Sequence, residues 1–238
     1  MHEITLDVPS TNPRRALLAL PEEEGPPVPG VVVVHDIIGF SKDVRRHVGR
    51  FAEAGYAAIA PDLFGRRTPG CIVRTLRDSR RGRGESFDVL RAARAHLATR
   101  PAVDGGRLGV VGFCLGGGFA LLSAADEAFQ VAGPFYGEVP ESADRLHGLC
   151  PTLAQYGARD RMYRSHADRL RRHLAQLDVA GEVIVHEGVG HSFMNRLPPW
   201  LSLGGVLPPM HAAYDEVTEA DAWARLLAFF ETHLAAPE

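Results

Sequence analysis

Leu108-Gly109-Val110-Val111-Gly112-Phe113-Cys114-Leu115-Gly116-Gly117-Gly118-Phe119-Ala120-Leu121-Leu122 passes from an apolar run, through a cysteine flanked by glycines, into a second apolar run. The first run, 108–111, reads as a buried strand and the second, 115–126, as a helix, so Cys114 falls where one turns sharply into the other. Glycines on both sides let the two backbones approach closely. The strained turn lifts the central side chain above the edge of the sheet, the arrangement of a nucleophile elbow carrying sulfur. A buried structural role is the commoner state of a lone thiol, but this flanking sequence favours a nucleophile.

Outward from the elbow, strand and helix patterns alternate. Ile4, Leu6 and Val8 alternate with polar neighbours and 16–20 is apolar, predicting a pair of antiparallel edge strands at the start. Val31-Val32-Val33-Val34 is β-branched without alternation, which suits a strand buried on both faces. Val44, Val48, Phe51 and Ala52 recur at helical spacing before Gly55, and 56–60 returns to the sheet. An Arg- and Gly-rich stretch up to about Gly84 reads as irregular. Then come a helix through Phe87, Leu90, Ala93 and Leu97, strands 131–135 and 151–156, helix 162–177, strand 182–186 and a closing helix 218–234. Such alternation predicts one α/β domain over 1–238, with a mainly parallel sheet flanked by helices on both faces and a site at the carboxyl ends of its strands.

A cysteine nucleophile needs a base for its proton and a group to orient that base. Asp160 ends Tyr156-Gly157-Ala158-Arg159-Asp160 just after a strand, and His191 stands in Gly188-Val189-Gly190-His191-Ser192-Phe193 after the last one. Nucleophile, acid and histidine thus follow in the order expected of an α/β-hydrolase. In that arrangement His191 takes the thiol proton and Asp160 fixes its tautomer; helix capping is the plainer duty of Asp160. Val31–Val34 runs into His35-Asp36-Ile37-Ile38-Gly39-Phe40, where this architecture supplies an oxyanion donor. The expected donors are the backbone N–H groups of Ile37 and Leu115. Asp36 would lie near the sulfur, either modulating the thiol or serving only as a turn residue. Phe40, Tyr136, Phe193 and Trp200 could wall the mouth, and the Pro- and Gly-rich segment 197–210 could cover it.

The totals exclude several other functions. The 238 residues carry 26 basic and 29 acidic side chains, a formal charge of -3, which implies no polyelectrolyte partner such as nucleic acid. Three cysteines, Cys71, Cys114 and Cys150, offer neither C-x-x-C spacing nor an even set, arguing against a disulfide framework and a zinc knuckle. No His-x-x-x-His or carboxylate cluster surrounds the elbow, and 116–118 does not make G-x-G-x-x-G, so neither a metal nor a nicotinamide cofactor is expected. Met1-His2-Glu3-Ile4 reads as a strand and not a signal peptide, and no apolar run approaches a membrane span. The expectation is a cofactor-free cytoplasmic protein with a small-molecule partner, a monomer or small homo-oligomer.

Taken together, His35-Asp36-Ile37-Ile38-Gly39, Ala60-Pro61-Asp62-Leu63-Phe64, Gly112-Phe113-Cys114-Leu115-Gly116-Gly117, Gly157-Ala158-Arg159-Asp160 and Gly190-His191-Ser192-Phe193 resemble the dienelactone hydrolase family, a branch of the α/β-hydrolase fold with a Cys-Asp-His triad. The resemblance implies hydrolysis of a lactone or ester: Cys114 attacks the carbonyl, a thioester forms, and the acyl group is released to water. It also implies arginines gripping a substrate carboxylate. Arg77, Arg80 and Arg81 precede the nucleophile, while Arg196 arrives one position later than the family pattern, and Asp36 replaces the family's glutamate. A thiol-based redox sensor or ligand-binding protein on the same scaffold, and a thioesterase, are the competing readings.

Overall fold

The computed structural model describes residues 1–9, 11–21, 25–66, 68–198 and 208–236. Eight strands form one sheet: β1 (His2–Leu6), β2 (Arg14–Ala19), β3 (Val28–Val34), β4 (Ala57–Pro61), β5 (Val103–Phe113), β6 (Val131–Phe135), β7 (Thr152–Gly157) and β8 (Gly181–His186), in the order β1-β2-β4-β3-β5-β6-β7-β8. The first two are antiparallel additions at one edge, and from β4 to β8 every neighbouring pair is parallel. The helices are α1 (Lys42–Glu53), α2 (Pro69–Arg81), α3 (Glu85–Ala98), α4 (Leu115–Asp126), α5 (Arg164–Leu177) and α6 (Glu216–His233). This is the mainly parallel sheet that the alternation predicts, in the α/β-hydrolase architecture that the family resemblance implies.

The valine run explains itself in this setting. In β3, Val31 and Val32 pair with Ala58 and Ile59 of β4 on one side, while Val33 pairs with Val111 of β5 on the other. With helices over both faces, all four valines are fully buried, so alternation has no physical reason to appear. On one face α1 meets α6 through Phe51 and Trp223, whose rings lie 4.7 Å apart. Elsewhere α3 meets α4 through Phe87 and Phe119 at 5.0 Å. Each such side chain contributes roughly 1.5–3 kcal/mol of burial.

Two stretches differ from the sequence expectation. Residues 69–81, expected to be irregular, form α2: Thr68 caps it by accepting from the Cys71 N–H at 3.3 Å, Pro69 opens its first turn, and Gly82 at φ 68 ends it. Its apolar periodicity is missing because the residues it buries are polar, namely Thr75, Asp78 and Ser79. Thr75 returns its hydroxyl to the Cys71 carbonyl at 3.0 Å. Strand β5 begins at Val103, five residues before the apolar run, because its first residues pair with β3 across a register shift between Val28 and Gly30 and are partly exposed. Asp104-Gly105-Gly106 there has loop chemistry and strand geometry.

Asp78 also joins the two helices. Its Oδ2 accepts the Ser86 N–H at 3.1 Å and the Ser86 hydroxyl at 3.0 Å, supplying the cap that Gly84 at the head of α3 lacks. Asp78→Ala removes both bonds from a buried site and is expected to lower unfolding free energy by about 1–3 kcal/mol, measured by urea denaturation. An unchanged midpoint would show that the helices are held by other contacts.

Candidate active site

The elbow is built as the glycines require. Cys114 takes φ 56 and ψ -117 between β5 and α4, a backbone that side-chain-bearing residues adopt at a cost. A Cβ at Gly112 would lie 2.0 Å from the Gly116 carbonyl oxygen, and one at Gly116 would lie 2.3 Å from that of Val34. Only glycine fits this crossing. The Cys114 N–H donates to the Phe135 carbonyl at 3.0 Å, which ties the turn to β6, and the cysteine itself is half-buried. The Leu115 N–H heads α4, where a helix has no internal acceptor for it. At the end of β3, Asp36 Oδ1 accepts from the Ile38 N–H at 2.8 Å and the Asp36 carbonyl from the Gly39 N–H at 3.0 Å, and the Ile37 N–H takes part in neither bond.

Asp160 and His191 meet. The His191 Nδ1–H donates to Asp160 Oδ2 at 2.6 Å, and both side chains are buried. The other carboxylate oxygen, Oδ1, accepts the N–H groups of Met162 and Tyr163 at 3.1 and 3.2 Å. One aspartate therefore performs both duties that its position suggests, orienting the imidazole and capping the turn before α5. The histidine loop is pinned by the His191 N–H to the Met210 carbonyl at 2.9 Å and by the Ala213 N–H to the His191 carbonyl at 3.0 Å.

His191 Nε2 is buried and makes no hydrogen bond of ordinary geometry. Burial by itself lowers the imidazole pKa; the Cys114 sulfur and then the Asp160 carboxylate outweigh it and lift the group from 6.5 to about 9. Such a shift needs the thiol close to the ring. Tyr163, packed on His191 at 4.9 Å between centroids, is pushed up to about 12, first by burial and next by the Cys114 charge. These side chains come from three strand ends and share one electrostatic environment.

The other residues singled out in the sequence distribute differently. Tyr136 and Phe193 are fully buried and pack behind His191, the tyrosine ring 4.7 Å from the imidazole, so they support the histidine and do not wall a mouth. Phe40 lies under Arg15 and Arg45. Trp200 and 199–207 of the candidate cover lie outside the described residues. Arg196 stacks on Tyr214 at 4.6 Å and donates to its hydroxyl at 3.3 Å. Arg77 and Arg81 are exposed; Arg80 lines a cavity of about 400 Å³ with Gly118, Glu138 and His166, and its charge reaches Tyr163.

Three buried residues beside the site escape the sequence reading. His35 donates from Nδ1 to the Asp36 carbonyl at 2.7 Å and accepts the Leu63 N–H at Nε2 at 3.0 Å, clamping the end of β3 to the segment after β4. Asn195 donates to Asp36 Oδ2 at 2.7 Å, and its carbonyl oxygen faces His47 Nε2 at 2.9 Å. His47 carried a signal: it lies on the apolar face of α1 with Val44, Val48 and Phe51, where a polar side chain requires a partner. Among the described residues no helix is long and apolar enough to cross a membrane, and no cluster of three or more potential ligands could hold a metal ion.

The model of the dienelactone hydrolase family matches residues 15–234. A carboxymethylenebutenolidase of Rhodococcus opacus is 30% identical over 219 residues, covering 86% of this chain and 81% of its own length. Among solved structures, a dienelactone hydrolase-like promiscuous phosphotriesterase from metagenomic libraries superposes with a TM-score of 0.83 at 22% identity, covering 98% of both chains. A putative dienelactone hydrolase from Klebsiella pneumoniae gives 0.74 at 25%, covering 96% of this chain and 98% of its own.

The contact between thiol and imidazole has a direct readout. By ¹⁵N-detected titration, His191 is expected to lose its proton near pH 9. In Cys114→Ala the foremost raising influence is gone while burial still lowers the pKa, so the midpoint moves down. A midpoint indifferent to the sulfur would mean that the two side chains are not in contact.

Proposed function

Because the chain belongs to the dienelactone hydrolase family and is a lactone or carboxylic ester hydrolase, we propose that Cys114 is its nucleophile, His191 its general base and acid, and Asp160 the group that orients His191. The observation that carries this reading is the short bond from His191 Nδ1 to Asp160, which aims the unpartnered Nε2 at the side of the ring where the elbow sulfur acts.

The reaction follows from these positions. With His191 holding its proton at neutral pH, the Cys114 sulfur adds as the thiolate to the substrate carbonyl carbon. The new oxyanion is met by the backbone N–H groups of Leu115, at the positive end of α4, and Ile37, which the turn around Asp36 leaves available. Collapse expels the alkoxide, which takes the proton from His191, and leaves an acyl thioester on Cys114. Water, deprotonated by His191, then attacks the thioester, and the acid and the thiol are released. Throughout, Asp160 holds the imidazole tautomer and stabilises the imidazolium. No metal or cofactor enters the scheme, and the substrate is a small ester or lactone.

Wild type and Cys114→Ala are to be compared on dienelactones, aryl esters and acyl thioesters near neutral pH with the thiol kept reduced. The substitution is expected to lower kcat about a thousandfold or more, and the ranking of the three classes identifies the acyl donor, thioesters included. Cleavage by the variant at the wild-type rate would remove Cys114 from the mechanism. A wild type that cleaves nothing while Cys114 oxidises readily would favour the redox-sensor reading.

A further inference from the structure

Beside the triad lies a chain of buried polar groups that the hydrolytic scheme leaves unused. Asp36 is 3% exposed, its Oδ1 on the Ile38 N–H and its Oδ2 on the Asn195 side-chain N–H. A carboxylate only accepts, so the Asn195 amide must present its nitrogen to Asp36 and its oxygen to His47. His47 therefore carries its proton on Nε2 and donates it to Asn195 Oδ1. The ring is fully buried, stacked on Phe113 at 4.2 Å, and burial pushes its pKa down to about 3, so it is neutral in ordinary conditions.

The relay supplies orientation without charge. Among the described residues Asp36 enters no ion pair. The cations nearby are engaged elsewhere or only share its cavity. Arg46 binds Asp43, Glu219 and the Met194 carbonyl, Arg196 is turned onto Tyr214, and Lys42 lines the same cavity of about 370 Å³ as Asp36, Asp43 and Arg196. Asp43 adds a second carboxylate close enough for the Asp36 charge to act on it. On the other side, Val34 pairs with Gly112 and Gly116 packs against the Val34 and His35 carbonyls, so Asp36 and Cys114 follow adjacent strand ends at one crossing, and both act on the buried Tyr136 hydroxyl.

The geometry points to His47 and Asn195 as positioning residues that hold Asp36 as a carboxylate without a counter-ion beside Cys114, making the site select uncharged esters or lactones over those bearing a carboxylate next to the reacting carbonyl. This rests on Cys114 being the reacting thiol. The physical reason is that two like charges repel strongly where water is excluded. An amide in contact with Asp36 fixes its direction but, unlike a guanidinium, leaves its charge in place. An uncharged acyl group meets no such barrier.

Alkylation of the reduced full chain tests this apart from turnover, because it needs one attack by one thiol. Chloroacetamide and chloroacetate share a leaving group and nearly a size but differ in charge. Their rates at Cys114 are read by peptide mass spectrometry, which separates Cys114 from Cys71 and Cys150, with glutathione as the reference thiol. Cys114 is expected to favour the neutral reagent at least tenfold more than glutathione does. Asp36→Asn abolishes that preference; Asn195→Ala and His47→Phe weaken it; His47→Gln, which restores an N–H donor, recovers it. A wild-type ratio equal to that of glutathione, or one unchanged in Asp36→Asn, overturns the selectivity. Full preference retained in His47→Phe overturns the relay. Since the ratio is readable whether or not an ester is cleaved, failure here is distinct from failure of the hydrolytic mechanism.

Discussion

The site depends on one close approach of backbone to backbone. Gly116, at the start of α4, lies against the carbonyl groups of Val34 and His35 at the end of β3, so the Cys114 turn and the turn after β3 cannot move independently. The left-handed backbone of Cys114 is strained in isolation. It is held by its N–H bond to Phe135 and by the fit of α4 against the strand ends. Any side chain at Gly112 or Gly116 would separate these elements and displace the sulfur from the groups that act on it.

Around that fixed point the polar groups fall into two differently wired sets. Asp160 and His191 form a charged pair, and the sulfur lifts the imidazole well above its ordinary value. Asp36, Asn195 and His47 form a set in which only the carboxylate is charged, and burial keeps the histidine neutral. Two histidines within one site thus take opposite protonation states because one faces anions and the other faces an amide and aromatic rings. The first set is a charged pair, while the second fixes the direction of Asp36 through an amide.

Much of this was legible in the order of residues. The elbow glycines, the aspartate and histidine at strand ends, and the unalternating valines each follow from local physical demands: a close crossing, a turn, burial on two faces. Helix α2 was not legible because the face it buries is polar, so hydrophobic periodicity carries no trace of it. Asn195 was visible only as a place where an arginine is missing. Its partners are 159 residues away at Asp36 and 148 away at His47, and no local pattern records such a distance.

The sequence by itself therefore determined the alternating α/β order, the strained turn at Cys114 and the placement of Asp160 and His191 just after strands, since each is imposed by backbone conformation or short-range periodicity. The tertiary structure alone decided that Tyr136 and Phe193 support His191 from behind, that Arg196 turns out onto Tyr214, and that Asp36 is held by an amide and not by a cation. Those outcomes depend on which strand ends pack together and on what burial does to charge, and both are properties of the assembled fold.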